Sequence, residues 1–151
     1  MTTHNGNDTD NALALESQLC FALYSTQLAM NKLYRGLLRE LELTYPQYLT
    51  MLVLWQRDRQ TVSEIGEHLY LDSATLTPLL KRLEAAGLIT RQRSRQDERQ
   101  VEIALTEKGR SLRERAKAVP HAVGCAGQCS PEEAAELRDA LHGLRQRLDG
   151  Q

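Results

Sequence analysis

Cys20 lies in a long apolar stretch and is followed by Tyr24, Tyr34 and Tyr45; two further cysteines, Cys125 and Cys129, lie near the other end of the chain. A thiol does nucleophilic and redox chemistry as its thiolate. Phenol hydroxyls that donate to sulfur favour that charged form, which gives the tyrosines a chemical role. The nearest basic residue is Lys32, so an adjacent cation is not the sole cause of activation. The same residue types also fill cores, where a free cysteine behaves as a small hydrophobe. His121, Cys125 and Cys129 recur at four-residue steps and would share one face of an unbroken helix, a possible three-ligand set for zinc or copper. No C-x-x-C and no second ligand cluster accompanies them, so neither a metal nor any other cofactor is assigned. His4, His68 and His142 read as solvated residues. A thiol peroxidase would need an arginine beside its cysteine and a βαβ pattern, and neither is visible, so no enzyme activity is expected.

The elements that position these residues are mostly helical. Leu19, Leu23, Met30, Tyr34, Leu37 and Leu41 recur at three- and four-residue steps, which predicts one helix over 13–42. Pro46 suits the first turn of a second helix, Gln47 to Trp55. Asp58 to Gln60 reads as a turn. Thr61 with Glu64 three residues on forms a capping box for a short helix. After the turn Tyr70–Ser73, Ala74 to Ala86 is a helix with Leu76, Leu79, Leu80 and Leu83 on one side, an awkward Pro78 in its second turn and Gly87 as its C-cap. Leu88 to Arg93 and Gln100 to Leu105 read as the strands of a hairpin around the polar turn Ser94–Glu98. Thr106 starts a long helix to about Gly127 that Pro120 kinks or restarts, and Ser130-Pro131-Glu132-Glu133 starts the last one.

The chain has 151 residues, which favours one domain, and is 41% hydrophobic but only 5% aromatic. No apolar run reaches the ~18 residues of a membrane span. The polar residues 1–12 read as a disordered tail with no secretory pattern, so a cytoplasmic protein with reduced cysteines is expected. Net charge is −1. Its distribution is uneven: Ser73 to Arg99 holds Lys81, Arg82, Arg91, Arg93, Arg95 and Arg99 against Glu84, Asp97 and Glu98.

Residues 46–105 therefore read as a winged helix-turn-helix, with its basic charge on the two elements that would touch DNA. Ser73, Thr75, Thr77, Lys81 and Arg82 lie on the second helix, which is of a size to enter a major groove. Arg93, Arg95 and Arg99 lie on the hairpin, where arginines suit a narrow minor groove. A thiol attached to a DNA reader suggests a sensor.

The segment LDSATLTPLLKRLEAAGLITRQRSRQDERQVEIALTEKG resembles the recognition helix and wing of the MarR family of bacterial regulators. LCFALYSTQLAMNKLYRGLLRELELTYPQYLTMLVLW is more specific and resembles the organic hydroperoxide resistance regulators within it. The likeness runs from about residue 15 to 148. It implies a mainly α winged-helix homodimer, held by helices in 13–45 and 106–149, that represses from a pseudo-palindromic operator in double-stranded DNA. It further implies that Cys20 is the thiol reacting with organic hydroperoxide, and that Tyr24, Tyr34 and Tyr45 hydrogen-bond it. Cys125 takes the place of the resolving cysteine found in some members, with Cys129 as the alternative, and Asp97-Glu98-Arg99 matches the family's wing Asp-x-Arg. Asp97 can orient a guanidinium there through a bidentate pair. Tyr34 is about 21 Å from Cys20 along a straight helix, so it would have to come from a symmetry mate. A regulator of the same fold answering to a phenolic ligand or a metal remains the alternative.

Overall fold

The computed structural model describes residues 11–151; the tail expected over 1–12 falls, apart from Asn11 and Ala12, outside them. The first long helix, α1 (Leu19–Leu37), starts later than its apolar periodicity suggests. A 3₁₀ turn at Leu15–Ser17 precedes it, and Gln18 is extended at φ −84° and ψ 118°. A continuous helix would pair the Ala14 carbonyl with the Gln18 amide N–H. Instead the Gln18 side-chain Nε2 donates to that carbonyl at 3.1 Å and to Ala12 O at 2.5 Å. The consequence is functional: Cys20 sits in the first turn of a helix rather than in its middle.

A 3₁₀ turn at Arg39–Leu41 and a left-handed Glu42 (φ 55°) lead into α2 (Tyr45–Gln56). Its start is fixed by Thr44, which accepts from Gln47 N while Gln47 Oε1 accepts from Thr44 N, with Pro46 in the first turn. Strand β1 (Gln60–Thr61) follows, where a turn was expected. Two residues are too short to show alternation, so only pairing reveals the strand. Thr61 and Glu64 form the anticipated capping box of α3 (Val62–Leu69). Asp72 caps α4 (Ser73–Ala85), accepting from Thr75 N at 2.8 Å. Gly87 leaves that helix at φ +77°, a conformation that favours glycine.

Strands β2 (Ile89–Arg93) and β3 (Val101–Leu105) form the antiparallel hairpin, with Ile89 opposite Leu105 and Arg93 opposite Val101. β1 pairs with the other edge of β3, Gln60 opposite Ile103, so the sheet has three strands in the order β1-β3-β2. The helix expected from Thr106 to Gly127 is two helices, α5 (Glu107–Ala116) and α6 (Ala118–Gly127), separated at Lys117. Pro120 is the cause: it has no N–H for the Ala116 carbonyl, and its ring crowds the preceding turn. Ser130 caps the last helix, α7 (Pro131–Asp149), which has Pro131 in its first turn.

The core lies between Leu38 and Val119 and centres on Leu54, Ile65, Leu76, Leu80, Leu83 and Ile103, all fully buried. Burying each such side chain stabilises the fold by about 1.5–3 kcal/mol. Trp55 Nε1 donates to Gly109 O at 2.9 Å and ties α2 to α5. Neither α1 nor α7 buries a single residue. Leu13, Leu15, Leu19, Tyr24, Leu28, Leu137 and Leu148 are left exposed. Among the described residues no helix is long and apolar enough to cross a membrane.

Candidate redox and DNA-contact sites

Cys20 is exposed and is the second residue of α1, whose N-cap Gln18 makes no side-chain capping bond. Unpaired backbone N–H groups and the positive end of the helix dipole therefore lie beside the thiol. Tyr24 is one turn further on and 62% exposed. Tyr34 and Tyr45 are elsewhere: their rings stack at 4.3 Å between centroids, where the end of α1 meets the start of α2. Tyr48, which the sequence reading passed over, completes the cluster at 5.8 Å from Tyr34 and 6.4 Å from Tyr45. Its spacing of three from Tyr45 on a helix was the available signal. Burial, and then the neighbouring Tyr45 and Tyr48, push the Tyr34 phenol up to about 12. Burial likewise raises Tyr45 and Tyr48. These hydroxyls are thus proton donors throughout the neutral range. Within one chain they are not beside Cys20.

The late cysteines differ from each other. Cys125 is on the last turn of α6, with its Sγ 3.6 Å from His121 Nε2. Cys129 lies past the helix end, beyond a left-handed Gln128 (φ 53°), and its thiol donates to Gly127 O at 3.4 Å. The shared helical face for His121, Cys125 and Cys129 therefore does not exist. Among the described residues no three His, Cys, Asp or Glu side chains come together to hold a metal.

A cleft of about 270 Å³, lined by Gly36, Leu37, Arg115, Ala118, Val119 and Ala122, marks where α1 and α6 meet. Cys20 lies sixteen residues before Gly36, about 24 Å along the helix, whereas Cys125 is only one turn past Ala122. A disulfide needs Cα atoms within about 7 Å, so one chain does not bring these two thiols together.

On α4, Ser73, Ala74, Thr75, Pro78, Lys81 and Arg82 are exposed and Thr77 is half-buried, while Leu76, Leu79, Leu80 and Leu83 face the core. Hydrogen bonds from Thr75 hold the capping Asp72 carboxyl below the usual carboxylate range. On the hairpin, Arg93, Arg95, Asp97 and Arg99 are exposed. The tip is braced by its own residues. Asp97 Oδ1 accepts from the Arg99 backbone N–H at 3.0 Å, Ser94 Oγ accepts from Gln96 N at 3.2 Å, and Arg93 Nη1 donates to Glu98 O at 2.9 Å. This corrects one expectation: in the free chain Asp97 holds the turn, and no ion pair joins it to the Arg99 guanidinium among the described residues. Asp58 secures the base of the wing by accepting from Leu105 N at 2.8 Å. Arg145 of α7 lies over the Tyr70 ring at 4.6 Å, against the turn that precedes α4.

Residues 32–116 match the family of the transcriptional regulators SarA/Rot. The organic hydroperoxide resistance transcriptional regulator of Bacillus subtilis (strain 168) is 49% identical over 136 residues, covering 90% of this chain and 92% of that protein. The chain belongs to the MarR family, among the organic hydroperoxide resistance regulators. This regulator is also 51% identical to the HTH-type transcriptional regulator TtmR of Methylorubrum extorquens (strain PA1), over 92% of this chain and 71% of TtmR. AbfR of Staphylococcus epidermidis is similar in structure. Its reduced, DNA-bound form superposes with a TM-score of 0.73 at 36% identity, covering 90% of this chain and 93% of AbfR. Its disulfide form gives 0.64 at 39%, covering 91% and 97%. The winged helix-turn-helix assembled from α3, α4 and the hairpin is thus that of a transcriptional regulator.

Proposed function

We propose that this protein is a cytoplasmic, homodimeric repressor that holds a pseudo-palindromic operator while Cys20 is reduced and releases it when an organic hydroperoxide oxidises Cys20. The observation that carries this reading is the placement of Cys20: exposed, in the first turn of a helix that buries nothing, and remote from the Tyr34–Tyr45–Tyr48 cluster of its own chain. A second copy packed antiparallel on α1 brings each cluster toward the other's thiol and covers the apolar faces of α1 and α7. A two-fold axis then makes the contact twice.

Reduced protein docks α4 in the major groove, with Ser73, Thr75, Thr77, Lys81 and Arg82 at the DNA, and the wing residues Arg93, Arg95, Asp97 and Arg99 flank it. The hydroperoxide transfers one oxygen to the Cys20 thiolate, giving a sulfenic acid and an alcohol. Cys125 of the partner subunit then condenses with that sulfenic acid, forming a disulfide and releasing water. Closing that bond displaces the outer helices, which alters the separation of the two recognition helices while DNA fixes the half-site spacing. The protein needs no cofactor and turns nothing over: its work is binding and release. The support from relatives is the 49% identity to a named organic hydroperoxide resistance regulator and the likeness to AbfR, solved both on DNA in its reduced form and as a disulfide.

The test uses a duplex selected in vitro for binding. Stoichiometric cumene hydroperoxide is expected to release wild type from it and to leave Cys20→Ser bound. Release that is undiminished in Cys20→Ser would refute the reading.

A further inference from the structure

Two cysteines stand near the carboxyl end of α6, and the structure distinguishes them. Cys129 Sγ donates to a backbone carbonyl, Gly127 O at 3.4 Å, a bond that only the protonated thiol can make. Cys125 Sγ faces an imidazole nitrogen, His121 Nε2 at 3.6 Å, one helical turn away. Both members of the pair are exposed, so a sulfur on another subunit has access to them. Cys125 also occupies the last turn of α6, where the helix dipole opposes an anion and supports a cation. A thiolate formed there needs a proton acceptor beside it, and the His121 ring nitrogen is the group placed to be one. Histidine is the side chain whose proton affinity suits taking and returning a proton near neutral pH.

We infer that His121 is the proton acceptor for Cys125 and makes it, rather than Cys129, the resolving thiol. The inference rests on the sensing role of Cys20 proposed above and assigns a residue to its second step. His121 takes the Cys125 proton as the thiolate attacks the Cys20 sulfenic sulfur. The S–S bond forms as the S–O bond breaks. The departing hydroxide takes the proton from the His121 imidazolium and leaves as water. The oxidant was consumed earlier, when the hydroperoxide oxidised Cys20 and left as an alcohol, so thiol and sulfenic acid give disulfide and water with no further reagent.

The experiment has two arms on the full chain. In the first, Cys125 is the only thiol, in a Cys20→Ser, Cys129→Ser background, and its alkylation by iodoacetamide at neutral pH is timed. His121→Ala and His121→Gln are expected to slow it about tenfold, since the thiolate is the reactive species, and added imidazole to restore part of the rate. In the second, all cysteines are present and cumene hydroperoxide is added. His121→Ala is expected to form the dimedone-trappable sulfenic acid as fast as wild type but the covalent dimer about tenfold more slowly, in step with the slowed alkylation, since the thiolate is the attacking species in both. A wild-type alkylation rate in His121→Ala would overturn the assignment whatever Cys20 does. So would wild-type crosslinking, or a loss that imidazole leaves untouched in both His121 variants. Slowed, imidazole-rescued alkylation with no sulfenic acid on Cys20 would support the pair and refute the sensing reading alone.

Discussion

Truncating the Asp97 carboxylate in the wing, beside a variant that keeps its acceptor oxygen, separates two roles for the residue. Its Oδ1 accepts from the Arg99 amide at 3.0 Å at an exposed tip, and its carboxylate has no guanidinium partner there. A hydrogen bond of this kind contributes about 1 kcal/mol net. Asp97→Ala withdraws it and leaves the tip to the Ser94 and Arg93 bonds. The proposed dimer carries two wings, so ordering both on DNA costs about 2 kcal/mol more, or roughly 30-fold in affinity. The fold should not notice, because the tip buries nothing and the core is elsewhere. Asp97→Asn keeps an acceptor oxygen on the same stem and should bind within about threefold of wild type, since a neutral acceptor forfeits only part of the bond. Fluorescence anisotropy at one fixed salt concentration, with circular dichroism melts of each variant, makes the measurement. If Asp97→Asn is as weak as Asp97→Ala, the negative charge is what matters, and the carboxylate pairs with a guanidinium in the complex instead of serving the turn.

Arg99→Ala should weaken DNA binding with an unchanged melt and reduce the slope of log affinity against log salt by about 1 per wing, as loss of one phosphate contact does; an unchanged slope would remove Arg99 from the interface. Tyr34→Phe and Tyr45→Phe should slow Cys20 alkylation and oxidation while sparing reduced-state DNA binding, and overlapping alkylation curves would take the tyrosines out of the mechanism. Tyr34 is also a stability probe: its folded pKa of about 12 lies above the ordinary 10, so its contribution is complete below pH 10 and is lost as pH rises toward 12. Tyr34→Phe should therefore flatten the alkaline fall of the melting temperature. Gly66→Ala would place a Cβ 2.7 Å from the Leu71 backbone carbonyl in the turn between α3 and α4. Overpacking against backbone there should cost about 1–3 kcal/mol, read as a lowered urea midpoint with weakened DNA binding.

Much of this was legible in the residues. The Thr61–Glu64 box, the Ser130-Pro131 start, the Gly87 stop and the alternation in Val101–Leu105 each act within a few residues, so local chemistry alone predicts them. What stayed hidden depends on contacts. β1 has two residues and exists only through its pairing with Ile103 and Glu102. The break at Gln18 is made by a side chain competing for a carbonyl, with no proline or glycine to announce it. Cys129 leaves the face of Cys125 because Gln128 turns left-handed, a choice that spacing cannot reveal. The tyrosine cluster required knowing how α1 and α2 meet.

The division of burial explains how a change at Cys20 can reach DNA. Among the described residues every buried side chain lies from Leu38 to Val119; α7 buries no residue of its own, and α1 packs on the core through the half-buried Tyr34 at its end. Elements held this weakly are the first to move, and under the proposed reading they are held by the second subunit instead. The winged unit is fastened through Trp55, Asp58 and the three-stranded sheet, and should move as one body. Two of the contacts that join α1 and α7 to it differ in stiffness. One is the tyrosine cluster, which joins the end of α1 to α2. The other is Arg145 on the Tyr70 ring, which joins α7 to the turn that sets the start of the recognition helix. An exposed cation–π pair contributes only about 0.5–1 kcal/mol, so Arg145 cannot hold α4 rigidly against a moving α7. The tyrosine cluster, three half-buried to buried rings wide, is the stiffer of the two joints, so under the proposed reading a displacement of α1 by a disulfide at Cys20 passes chiefly through it.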